Sequence, residues 1–420
     1  MSEELLSRAR MAAQNNNYTR AIQLYDQLLA KTANDPSLKE LRVITFQEQG
    51  ILLRIIGQPE EALATFHHFY LEAGTSQQAV DALFLIGDQH TRMNQFQQAM
   101  DTFGEGLELA EALNYTTGRA KILQGFGSAL QYMGRIEEAI PHLKKAISLF
   151  EQLEDTGGLL SSWIWLGMTY LGEGSMDKAI AAFQSSLVFG RQIGKRETAV
   201  VLNNLGECYQ ELYHMEAALA AHQEGLKLTK EIKVRASEAD LARNLGVDLW
   251  QLGQIDEALN YLHEALEICR ETKNTDIALQ TLYSLALVEI ERGELEQGYE
   301  YAQEMKKLVE ETGARTYLGE ALHAVGLYYK AKGDSMAAQQ TWQEAVFMAH
   351  ETSRRIVLWQ LHAALASISE SESLAAVHYR IAAEVINQIA YPIQDEELRE
   401  QFLTSRPIRE ILSAAEANGL

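Results

Sequence analysis

The sequence predicts an all-α fold, a solenoid of about nine helical hairpins closed by a C-terminal helical cap. Three observations carry the prediction. Small residues recur with a period near 40, at Ala9, Gly50, Gly87, Gly127, Gly167, Gly206, Gly246, Ala286, Gly326 and Ala366. A second small residue follows the first nine of these at a constant offset of twelve, at Ala21, Ala62, Ala99, Ala139, Ala179, Ala218, Ala258, Gly298 and Ala338. A turn residue falls seven after the first, at Asn16, Gly57, Asn94, Gly134, Gly174, Tyr213, Gly253, Gly293 and Gly333. Self-similarity at such a period is the mark of stacked repeats, each of which packs only on its neighbours.

Each hairpin follows from these positions. Two helices that touch at fixed points need small side chains there, since a large one would push the axes apart. Gly and Asn tolerate the left-handed backbone that ends a helix. Tyr213 departs from that rule, so its turn is expected to differ. Four residues after the second small position stands a bulky side chain: Tyr25, Phe66, Phe103, Leu143, Phe183, His222, Leu262 and Trp342. As i,i+4 neighbours on one face, these are expected to fill the space between hairpins; Ala302 breaks the series. Ser237, Thr198 and Thr275 offer helix starts, and Pro59 a first helical position. Pro141 falls inside a second helix, where it removes a hydrogen bond. Past Ala366 the pattern degrades into a second helix near 374–389, a break at Pro392, a short helix at 395–403 and a last one after Pro407.

The small residue, aromatic, turn glycine, Ala and Phe appear together at Gly167, Tyr170, Gly174, Ala179 and Phe183. This resembles the tetratricopeptide (TPR) repeat. The unit is about 40 residues long, like the longer variety found in kinesin light chains and bacterial regulatory proteins. The resemblance covers roughly residues 3–390 and implies a right-handed superhelix of hairpins with a concave groove. It assigns a TPR solenoid to 1–390. Repeats are centred near 9–28, 44–70, 81–110, 121–150, 161–190, 200–230, 240–270, 280–310 and 320–350, with a degenerate one at 357–390. Residues 391–420 are expected to be capping helices. The tail is also similar to those of bacterial TPR regions attached to signal-transduction ATPases, cyclases and transcriptional activators.

Bulk properties narrow the function. The formal net charge of −22 opposes nucleic-acid binding and an anionic membrane surface, and mildly favours a basic or mixed-charge partner. Two cysteines, Cys208 and Cys269, fit a reducing compartment, and the chain is expected in the cytoplasm. No run of apolar residues is long enough to span a membrane. None of the eleven histidines falls in a ligand pattern, and no phosphate loop, nucleophile elbow or metal motif is present. Acidic pairs such as Glu60-Glu61 and Glu137-Glu138 begin second helices, where they offset the helix dipole. The expectation is therefore no enzyme, no metal and no cofactor.

The resemblance places the first helices on the concave face. Inward positions include Arg54, Asp88, Arg92, Lys121, Gln131, Asp240, Gln280 and Glu320. The candidate contacts for a peptide or protein partner are Gln124, Tyr132, Asn203, Glu207, Gln210, Arg243, Asn244, Trp250, Tyr283, His323 and Lys330. Amides pair with an extended peptide backbone and aromatics supply contact area. Asn204 and Asn244 stand two before the packing glycine, where they either contact a peptide or bond the neighbouring hairpin. The expected function is an adaptor that holds a peptide segment or helix of a partner. Three other readings stay open: a peptide-sensing regulator whose superhelix changes shape, a scaffold that self-associates into a homo-oligomer, and an enzyme, which only a deep polar pocket with strongly perturbed titratable groups would revive.

Overall fold

Helical periodicity and turn residues at fixed intervals produce a chain of helices and short turns. The computed structural model describes residues 2–351 and 355–417, and among these there are 22 α-helices and no strand. The architecture is an all-α solenoid of hairpins. It divides into two compact units, Met1–Glu173 and Gly174–Leu420.

The first unit pairs α1 (Ser2–Gln14) with α2 (Tyr18–Thr32), α3 (Lys39–Ile55) with α4 (Pro59–Ala73), α5 (Gln77–Arg92) with α6 (Phe96–Ala112), and α7 (Thr116–Tyr132) with α8 (Ile136–Gln152); α9 (Thr156–Glu173) ends it. The second unit opens with α10 (Met176–Ile193). Its hairpins are α11 (Lys195–Glu211) with α12 (Met215–Ile232), α13 (Arg235–Gln251) with α14 (Ile255–Thr272), and α15 (Thr275–Glu291) with α16 (Leu295–Thr312). Then come α17 (Leu318–Ala331) with α18 (Ser335–Glu351) and α19 (Arg355–Ile368) with α20 (Glu372–Ala390). Two short helices follow, α21 (Glu396–Thr404) and α22 (Arg406–Ala417). Residues 418–420 of the expected cap lie outside the described residues.

The packing rule inside a hairpin is sharper than the sequence suggests. A Cβ on Gly50 would fall on the ring of Phe66, and one on Gly87 on the ring of Phe103. Gly127 meets Leu143, Gly206 meets His222, Gly246 meets Leu262 and Gly326 meets Trp342 in the same way. The bulky residues therefore seat first on the glycine of their own hairpin, not only between hairpins. Phe103 does both, since its ring also covers Gly125 of the next first helix. Phe66 and Phe103 are wholly buried, and truncating such a side chain costs about 3–5 kcal/mol.

The turn at Tyr213 does not differ from the others, contrary to expectation. Its φ is 56°, against 57° at Asn94 and 58° at Asn16. The hydrogen bonds match as well: Tyr213 N donates to Gln210 O and His214 N to Tyr209 O, as Asn94 N does to Thr91 O and Gln95 N to His90 O. A left-handed backbone costs an ordinary L-residue roughly 1–2 kcal/mol, a cost that Glu154, Lys233 and Lys273 also bear. The Tyr213 ring packs beside Phe402, with ring centroids 6.3 Å apart.

Local starts needed two corrections. Ser237 lies inside the first turn of α13, which is preceded by Val234, and Thr198 lies inside α11, where its hydroxyl returns to Gly194 O at 2.7 Å. α15 is capped by Asn274, whose side chain accepts from Ile277 N. Pro59 does open α4, and α8 runs on through Pro141.

Candidate partner-binding face

The first helices present polar side chains in register, and in both units most of these bond to a residue about one repeat away. In the first unit Arg54 donates to Asp88 at 2.7 Å, and Arg92 shares the same carboxylate. Lys121 reaches Asp81 at 2.7 Å. Gln124 accepts from the hydroxyls of Ser161 and Ser162. Tyr132 is exposed and meets Trp165 edge-on, with centroids 5.6 Å apart.

In the second unit five of the sequence-chosen residues come together as one network. The Asn244 amide nitrogen donates to Asn203 Oδ1 at 3.0 Å and to Glu207 Oε1 at 3.1 Å. Both acceptors demand a donor, which fixes the orientation of the amide. The Asn203 nitrogen in turn donates to Asp240 Oδ2 at 3.1 Å. The Arg243 guanidinium spans Glu207 at 3.4 Å and Asp240 at 3.1 Å. Gln210 donates to Asp248 Oδ1 at 2.8 Å and to the backbone oxygen of Asn244. Asn244 is wholly buried and Arg243 is 8% exposed. Asn244 Oδ1 and Arg243 Nε have no hydrogen-bond partner among the described residues.

Asp248 and His222 complete this network and escaped the sequence reading. His222 Nδ1 lies 2.6 Å from Asp248 Oδ2. His222 occupies the place that an aromatic or Leu takes in other hairpins, so it reads as packing. Asp248 stands two after Gly246, outside the positions taken as inward. An acidic residue in the apolar run Leu245–Leu249 was the available signal. Beside the network, Asn203, Asn204, Ser237 and Asp240 join Val200 and Ile277 around a recess of about 300 Å³.

The remaining candidates do not join this cluster. Trp250 donates its indole N–H to Glu291 at 2.7 Å. Tyr283 and His323 Nδ1 are 2.8 Å apart, and burial pulls the His323 imidazole down to about 4. Lys330 donates to Ser367 at 2.8 Å, and burial lowers its ammonium pKa. Burial also pushes the Cys208 thiol up, and Cys269 to about 11, so neither is primed as a nucleophile. Among the described residues no helix is long and apolar enough to cross a membrane.

Comparison with known proteins agrees with this architecture. Tetratricopeptide repeat family models match residues 5–36, 120–153, 158–231 and 237–297. A curated relative, tetratricopeptide repeat protein 29 of Trypanosoma brucei brucei, is 23% identical over 123 residues, which are 29% of this chain and 26% of that protein. The chain thus spans about a quarter of that relative. The apo form of the quorum sensor NprR from B. thuringiensis superposes with a TM-score of 0.59 at 14% identity, covering 82% of this chain and 98% of that one. A Rap protein complexed with Competence and Sporulation Factor gives a TM-score of 0.54 at 13% identity, covering 82% and 100%. At such identities the likeness is one of fold. From the repeat spacing, the hairpin packing and these matches together, the chain is a tetratricopeptide repeat protein.

Proposed function

We propose that this chain is a non-catalytic interaction module that holds a peptide segment of a partner protein against the first helices of the second unit. The network of Asn203, Glu207, Asp240, Arg243 and Asn244 carries this reading. It sets two amides, two carboxylates and a guanidinium on adjacent first helices, at the edge of a recess with an apolar side. The partly exposed amides of Asn203 and Asn204 satisfy a peptide backbone, the carboxylates of Glu207 and Asp240 set its register, and the buried Asn244 and Arg243 hold Asn203 and both carboxylates in place. An acidic surplus around one arginine favours a peptide with a basic group.

A regulatory variant of this reading, in which a peptide alters the shape of the array, draws support from the fold likeness to NprR and Rap. Affinity capture with the full chain, read by mass spectrometry, tests the site. Asn203→Ala and Arg243→Gln should lose a common set of preys while keeping the wild-type circular dichroism. Charge reversal at Arg243 is the poorer choice, because it would set three carboxylates together. If the preys persist in both variants, the site is wrongly placed.

A further inference from the structure

The C-terminal segment 391–404 returns to the start of its own unit. The Asp177 carboxylate, in the first turn of α10, accepts from Gln394 N at 2.9 Å and Asp395 N at 3.1 Å, and also from its neighbour Lys178 N. Pro392 stands over Gly174, 3.7 Å from where a Cβ would be. Phe402 lies against Tyr213. Ile393 and Phe402 are almost wholly buried, whereas Tyr391, at the hinge from α20, is 88% exposed. Gly174 and Tyr213 are equivalent turn positions of successive repeats, so the segment lies across two neighbouring turns.

We infer that this segment is a releasable strap, and that its docking holds the candidate partner face in order. Tyr213 is the link. Its backbone N–H donates to Gln210 O, and the Gln210 side chain reaches Asp248 and Asn244. The strap thus bears on the last turn of α11, which in turn anchors the Asn244–Asp248 network. A tyrosine in a left-handed turn, where the other repeats carry glycine or asparagine, fits a residue kept for the strap. Among the described residues the attachment is small: one aromatic pair, one buried isoleucine, Pro392 over Gly174, and one carboxylate on two amides. Such a contact opens without unfolding the unit. The effect on the face rests on the proposed function; the strap itself does not.

Hydrogen exchange read by mass spectrometry on the full chain tests both parts. In Phe402→Ala, amides 394–404 and those of Tyr213 and His214 should exchange about tenfold faster, while α15 stays as in wild type. Tyr213→Gly eases the turn but should free the strap equally. Asp177→Ala should free it as well, and Asp177→Asn, which keeps an acceptor, should restore most of the protection. Asn94→Gly, at an equivalent turn the strap does not touch, should change nothing in the tail. Wild-type protection of 394–404 in Phe402→Ala and Tyr213→Gly would overturn the strap. Faster exchange in the tail with Tyr213 and His214 unchanged would overturn its hold on the face and leave the peptide reading standing.

Discussion

His222 Nδ1 lies 2.6 Å from Asp248 Oδ2, and both side chains are wholly buried. The pair bridges α12 and α13, neighbours in successive hairpins, so it joins one repeat to the next through the core. His222→Phe restores the aromatic usual at this position but leaves the Asp248 carboxyl with Gln210 as its remaining partner. We expect a loss of about 1–3 kcal/mol. The double variant His222→Phe, Asp248→Leu should be less destabilised than the sum of the single changes. Urea unfolding of the four proteins measures the coupling.

Two glycines of one hairpin should respond with opposite sign. Gly87→Ala drives a methyl into the Phe103 ring, and overpacking of this kind costs about 1–3 kcal/mol. Gly104, inside α6, has open space where a Cβ would go. Gly104→Ala should therefore stabilise by about 0.5–1 kcal/mol through helix propensity. Thermal melts of the two variants decide whether close approach or backbone freedom governs each position.

Acid should weaken the second unit through its buried histidines. Burial holds His323 at about 4, below its ordinary value near 6.5, and His362 is held at about 4 by burial and by His378. Between those values the unfolded chain binds the proton and the folded chain does not. Stability is then fully present above pH 6.5 and is lost as pH falls toward 4. For His323 the loss between pH 7 and pH 5 is on the order of 2 kcal/mol. Melting temperatures at both values should fall less in His323→Gln than in wild type.

Thiol chemistry offers a probe of opening in the same unit. Cys208 and Cys269 are buried and their thiols are pushed up. Neither should react with an aromatic disulfide reagent in the folded protein at neutral pH. Both should react in denaturant, at a rate set by unfolding. Rapid labelling of native Cys208 would contradict its burial in α11.

The hairpins were legible because their cause is local and repeated. A glycine seven residues before a turn, and a bulky residue sixteen after that glycine, recur often enough to declare a common geometry. The polar face was half legible. The TPR resemblance, laid on the repeat register, chose Asn203, Glu207, Gln210, Arg243 and Asn244, which do meet. It gave no hint that Trp250, Tyr283 and Lys330 are each engaged by the following repeat, since spacing says where a side chain points and not what it meets. Tyr213 was misread for a different reason. Its turn obeys the common rule, and the oddity of its side chain is answered only by Phe402, which no repeat pattern connects to it. Asp248 was missed because a carboxyl in the core needs His222 and Gln210 together, from two other helices.

The pairing of first-helix side chains with residues one repeat along also limits how such an array can change. Asn203 meets Asp240, Trp250 meets Glu291, Tyr283 meets His323, and each couple is chemically distinct. In-frame excision of a hairpin would preserve the apolar seam yet bring mismatched groups face to face. These repeats carry individual addresses, so the order in which they are strung is itself fixed by chemistry.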